Sequence, residues 1–172
     1  MIKNIATFLV LAFAANVYAQ APAATLNDAQ VAMVLVEINE GEVDAGQIAK
    51  DKVQLPEVKK FAKDMIDEHK ANKKTLKELA DKGDFDPKKS DLAKSIKEEA
   101  KASNKELKKS GKDVFDKAFL AQQITMHEKA LTLIKDTLLP NTKNPALREH
   151  LEKTQASVQM HLEHAKELSA KL

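Results

Sequence analysis

Four residues of metal-ligand type, Glu42, His69, His127 and His161, stand where the surrounding sequence otherwise places apolar side chains. A polar group on the core side of a helix costs free energy unless something satisfies it, and a bundle interior is where facing helices build metal sites. Three neutral imidazoles and one carboxylate are a sufficient set of ligands for a single Zn²⁺ or Cu²⁺. The alternative is a buried polar network in which Glu42 pairs with one or two imidazoles. A di-iron centre is disfavoured, because such bundles place a Glu three residues before a ligating His, and no His here has one. Two i, i+4 pairs, Met65 with His69 and Met160 with His164, offer the soft sulfur that suits copper, although methionine at this spacing is also ordinary core filler. His164 is a substitute ligand for His161. His150 lies off the apolar stripe and is expected to be exposed, and Asp67 and Glu68 read as surface or supporting groups.

No other catalytic arrangement competes. The chain has no Cys, so it has no disulfide, thiolate ligand or thiol nucleophile, and no glycine-rich phosphate loop occurs. Hydrolysis at a zinc ion would need an open coordination position.

The elements that position these residues are helices. Apolar residues recur at i, i+3, i+4, i+7 in four segments, giving Val31, Leu35, Ile38, Glu42, Ala45 and Ala49 in the first. The second stripe runs Val58, Ala62, Met65, His69, Asn72, Leu76 and Leu79. The third has Leu120, Ile124, His127, Leu131, Ile134 and Leu138, and the last has Leu147, Leu151, Thr154, Val158, His161, Ala165, Leu168 and Leu172. Pro56, Pro87, Pro140 and Pro145 are read as falling between these segments. The spacing predicts helices over about 27–53, 56–81, 113–138 and 144–172, with Asn27 or Asp28 as the first cap, Asn144 as the last and Gly83 as a left-handed terminator. Residues 90–110 carry a thin stripe of Leu92, Ile96, Ala100 and Leu107, which suits a helix crossing between the second and third core helices. The predicted fold is all-α, a ferritin-like four-helix bundle with one long helical crossover. Gly41 and Gly46 inside the first helix point to a close helix approach or a local bulge.

Depth along the bundle tests convergence. Glu42 lies 13 residues before Leu55 and His69 lies 13 after Pro56, so the two share a level. From His127 to a helix end at Leu138 is 11 residues, whereas from Pro145 to His161 is 16. That leaves a mismatch of roughly 7 Å to be absorbed by loop or tilt.

Lys3, the apolar run over residues 5–16 and Val17-Tyr18-Ala19 read as a signal peptide cut after Ala19, too short to span a membrane. The expected organisation is a signal over 1–19, a short flexible segment over 20–26 and one domain over 27–172, located in the periplasm or secreted, with peripheral outer-membrane association as a further option. The mature chain keeps 27 basic side chains, Lys3 having left with the signal, against 26 acidic ones. Its lysines alternate with acids along the helices, so no nucleic-acid partner is expected; residues 101–112 read as a solvated face.

Four runs carry a resemblance. They are Glu42-Val43-Asp44-Ala45-Gly46-Gln47-Ile48-Ala49, then Phe61-Ala62-Lys63-Asp64-Met65-Ile66-Asp67-Glu68-His69, then Phe115-Asp116-Lys117-Ala118-Phe119 followed by His127, and His161-Leu162-Glu163-His164-Ala165. Together they resemble the exported bacterial family called domain of unknown function 4142, over about residues 26–168. The resemblance implies a ferritin-like fold and export more than an activity, with Glu42, Gly46, His69, His127 and His161 at its motif positions. Glu68 departs from the Asp more typical of the family. An outer-membrane label often attached to the family implies no barrel here, since no strand pattern exists. The expected function is binding of one Zn or Cu ion for storage, buffering or sensing rather than turnover. The alternative is a non-metal structural or stress-related envelope interaction module.

Overall fold

The computed structural model describes residues 25–83 and 86–172. The expected signal peptide lies outside the described residues, as does most of segment 20–26. Leu26 is described: it is buried, and its N–H donates to Asn141 Oδ1 at 3.0 Å.

Helices account for nearly all the described chain. Helix α1 (Asp28–Ala49) starts at a reciprocal cap, in which Asn27 Oδ1 accepts from the Gln30 N–H and the Gln30 side chain accepts from the Asn27 N–H. Helix α2 (Pro56–Lys82) opens on proline, whose fixed φ and missing N–H suit a first turn. It ends at Gly83 with φ −90°, so the terminator is not left-handed as expected. Helix α3 (Asp91–Lys109) is capped by the Ser90 hydroxyl. A short 3₁₀ turn, Lys112–Val114, leads into α4 (Phe115–Leu133). That helix continues through a π-helical turn, Ile134–Leu138, into a last turn, α5 (Leu139–Asn141). Helix α6 (Pro145–Ser169) starts at Asn144, whose side chain accepts from the N–H groups of Ala146 and Leu147.

Two carboxylates tie the ends together and set the direction of each helix. At one end Asp116, at the start of α4, accepts from the N–H groups of Gln54 and Leu55 in the α1–α2 turn, both at 2.9 Å. At the other, Asp28 accepts from Lys143 and Asn144 before α6. Hence α1 and α6 run one way, α2 and α4 the other. Helix α3 travels the full length beside α1 to reach the start of α4, a crossover joining two antiparallel hairpins.

Both internal glycines of α1 sit at helix contacts. A Cβ on Gly41 would meet Ala100 Cβ of α3 at 2.7 Å, and one on Gly46 would meet Ile66 Cγ1 of α2 at 2.6 Å. Close approach, not a bulge, explains them, because α1 is regular throughout.

Pro140 corrects the expectation that every proline separates segments: it lies inside the helical run. The widened turn before it accommodates a residue that cannot donate to the helix ladder. Asn141 Nδ2 and Thr142 Oγ1 donate to the carbonyls of Thr137 and Leu138, so polar side chains take up the backbone acceptors nearby. The α3 stripe is also shifted from expectation. Ala93, Asn104 and Leu107 are buried there, with Leu92 and Ile96 partly so.

The core falls into two apolar halves. One is built around Leu35, Leu76, Ile134, Leu138, Leu147 and Leu151, the other around Phe61, Met65, Phe115, Phe119, Leu120 and Leu168. Between them the four core helices contribute a belt of polar residues.

Candidate metal centre

That belt contains Asn39 and Glu42 from α1, His69 from α2, Gln123 and His127 from α4, and Thr154 and His161 from α6, all buried. The three imidazoles form a nearly regular triangle, with ring centroids 5.9 Å (His69–His127), 5.6 Å (His69–His161) and 5.4 Å (His127–His161) apart. One nitrogen from each lies within 4.8 Å of the others.

Hydrogen bonding around the triangle decides which nitrogens carry protons. Asn39 Nδ2 donates to Leu35 O at 2.7 Å and to Asn72 Oδ1 at 2.9 Å. Its Oδ1 therefore faces His69 Nδ1, 2.9 Å away, which must be the donor. His69 Nε2 is left with a bare lone pair, and it is buried without a partner. His127 Nδ1 lies 2.8 Å from the Gln123 carbonyl oxygen, which can only accept, so its lone pair is on Nε2. His161 Nε2 lies 2.8 Å from Glu68 Oε2 and donates to it, which leaves the lone pair on Nδ1.

His127 Nε2 and His161 Nδ1 are 3.3 Å apart. With both imidazoles neutral, two lone pairs face each other there, an arrangement that needs a cation or a proton between them. Burial holds His161 below the ordinary 6.5 of imidazole, the Glu68 hydrogen bond opposing only in part. Burial holds His69 well below it too, with His127 and His161 acting in the same direction. A tetrahedral ion bound at about 2.0–2.1 Å gives nitrogen–nitrogen edges of about 3.3–3.4 Å. One pair already has that spacing, and the rest of the group, within 4.8 Å, needs a contraction of up to about 1.5 Å.

Each imidazole is thus braced on its outer nitrogen by an acceptor: an amide oxygen, a backbone carbonyl and a carboxylate. Metal-ligating histidines are oriented by this kind of partner. A family model described as domain of unknown function (DUF4142) matches residues 14–168. The chain belongs to that family. No curated protein and no solved structure matches it.

In this DUF4142 protein His69, His127 and His161 come together, and Glu42 stands behind them. Its Oε1 is 3.6 Å from His127 Nδ1, the outer nitrogen, and its Oε2 accepts from Gln123 Nε2 at 2.8 Å. The carboxylate expected as a fourth ligand therefore lies behind His127, bonded to Gln123, rather than inside the triangle. Glu68 also has a supporting place, through His161. His164 is exposed, its ring edge-on to Phe61 at 5.1 Å, and Met160 is 60% exposed, so neither approaches the triangle. Met65 packs in the apolar half beside Phe61. His150, expected at the surface, is buried because it follows Leu147 by one turn on the same flank; its Nε2 has no partner.

Sequence reasoning missed Asn39 and Gln123. Each lies just off the apolar stripe, Asn39 three residues before Glu42 and Gln123 four before His127. Searching for amides one turn from a candidate ligand would have found both.

Proposed function

We propose that this protein binds one divalent transition-metal ion through His69 Nε2, His127 Nε2 and His161 Nδ1. Zn²⁺ or Cu²⁺ suits three imidazoles best. The observation that carries the reading is the orphaned, deprotonated His69 Nε2, buried beside the lone pairs of His127 Nε2 and His161 Nδ1. A self-contained polar network would satisfy its own atoms, since a buried polar group without a partner costs about 1–3 kcal/mol. Glu42 and Glu68 supply two negative charges beside the triangle, which balance a dication held by neutral ligands.

Apolar walls on both sides of the belt favour retention over turnover, so storage, buffering or sensing fits better than catalysis. The hairpin–crossover–hairpin connection supports the ferritin-like reading, and the N-terminal apolar run supports export. Among the described residues no helix is long and apolar enough to cross a membrane. The test is calorimetric titration of tag-free, metal-free protein with Zn²⁺ and Cu²⁺. One equivalent should bind, and His127→Ala should lose at least a hundredfold in affinity; no binding, or unchanged binding by His127→Ala, would refute the proposal.

A further inference from the structure

We infer that a metal ion enters and leaves the triangle past Glu68 and His161, with the Glu68 carboxylate as the protein group that first captures a hydrated divalent cation. The inference rests on the triad reading above. The three braces of the imidazoles differ in their contact with water. His69 is held by Asn39, 2% exposed, and His127 by the carbonyl of fully buried Gln123 with Glu42, 2% exposed, behind it. The Glu68 side chain is 54% exposed and reaches in to His161 Nε2 at 2.8 Å. His161 is therefore the ligand with a carboxylate touching solvent on one side and a lone pair facing the other imidazoles on the other.

Other routes are blocked by the apolar halves of the core. A hydrated dication moving along the bundle axis would have to shed water against Phe61, Met65 and Phe119, or against Leu35, Leu76 and Leu138. On the outer side of α1, helix α3 closes the way, with Asn104 Nδ2 bonded to Gly41 O. The α2–α6 seam is bridged by Asn72 Nδ2 donating to Thr154 Oγ1 and by His161 Nε2 donating to Glu68, and of these only the second joins a triangle imidazole to a side chain in contact with solvent. Exposed Asp67 adds negative charge beside Glu68, and such charge raises the local concentration of cations. Releasing the His161 Nε2–H from the carboxylate frees the ring to turn while Glu68 holds the incoming cation.

Glu68→Gln tests this with little structural cost, because the amide oxygen still accepts from His161 Nε2 while the charge is gone. Metal-free protein is mixed with Zn²⁺ by stopped flow at low and high salt, and loaded protein is mixed with excess chelator. Association should slow about threefold to tenfold in Glu68→Gln and lose much of its salt dependence, and release should not accelerate. Glu106→Gln, the same charge change on exposed α3, should keep the wild-type rates. If Glu68 merely braces His161, association is unchanged and release accelerates, which overturns the port. Equal slowing in both variants overturns it too. Absence of zinc uptake by the wild-type protein overturns the triad reading itself, and the port with it.

Discussion

Replacing Glu42 by glutamine removes one buried charge and almost no volume. Glu42 Oε1 stands 3.6 Å from His127 Nδ1. Adding the width of the ring and a metal–nitrogen bond of about 2 Å puts a bound ion about 7 Å from the carboxylate. At an effective dielectric of about 20, a negative charge and a dication at that distance attract by about 5 kcal/mol, which is the ceiling for the effect. Groups that brace metal-bound histidines are usually worth about 10–100-fold in affinity, or about 1.4–2.7 kcal/mol. The expected loss is therefore at least tenfold. The geometric part is small, because Gln123 Oε1 has no partner and its amide can turn over to accept from the new N–H, leaving the new oxygen toward His127 Nδ1. Zn²⁺ titration of metal-free wild-type and Glu42→Gln protein measures the difference, with urea unfolding of both to separate affinity from stability. Affinities equal within threefold would refute the placement of Glu42 as the charge behind His127.

Metal-free protein should lose stability in mild acid. His69 is held well below 6.5 in the fold, chiefly by burial. Below that pH the unfolded chain binds a proton that the folded chain refuses, so stability falls by up to about 1.4 kcal/mol per pH unit from this group alone. The loss continues until the pH reaches the folded group's own value, and nothing is lost above neutrality. His150 and His161 are shifted in the same direction. Urea midpoints at pH 7.5 and pH 5.5 check this, and equal midpoints would contradict it. Gly46→Ala should destabilise despite the better helix propensity of alanine, because its Cβ would meet Ile66 Cγ1 at 2.6 Å and the Ala62 carbonyl at 3.0 Å. Propensity returns about 1 kcal/mol and overpacking costs about 1–3 kcal/mol, so a net loss of about 1 kcal/mol is expected in urea unfolding. A variant as stable as wild type would mean that α1 and α2 can part at no cost.

The helices were legible because their signals are local. The Asn27 and Asn144 caps, Pro56 and Pro145 at first turns, and the apolar stripes act within a few residues of themselves. The triad was legible for a related reason, since a histidine on an apolar stripe must face a neighbour. Its levels were harder to read. Ending the third core helix at Leu138 left His127 and His161 mismatched. The run in fact continues through the π turn and Pro140 to Asn141, so 14 residues stand against the 16 from Pro145 to His161. That reduces the offset to about 3 Å. A proline inside a helix is accommodated by a widened turn whose cost depends on packing, which local spacing does not encode. The roles of the carboxylates depend on rotamers. Glu42 was readable as a buried acid facing histidines, but which nitrogen it faces follows from Gln123, one turn from His127 on another helix. His150 failed for the opposite reason: a stripe counted at strict spacing omits the flanking position that a wide apolar face also buries.

X-ray absorption at the metal edge of zinc-loaded protein addresses the triad most directly. Three imidazole nitrogens at about 2.0–2.1 Å in the wild-type protein, reduced to two in His161→Ala, are the expected result. A shell of oxygen ligands alone, or a spectrum unchanged by His161→Ala, would contradict a metal centre built from His69, His127 and His161.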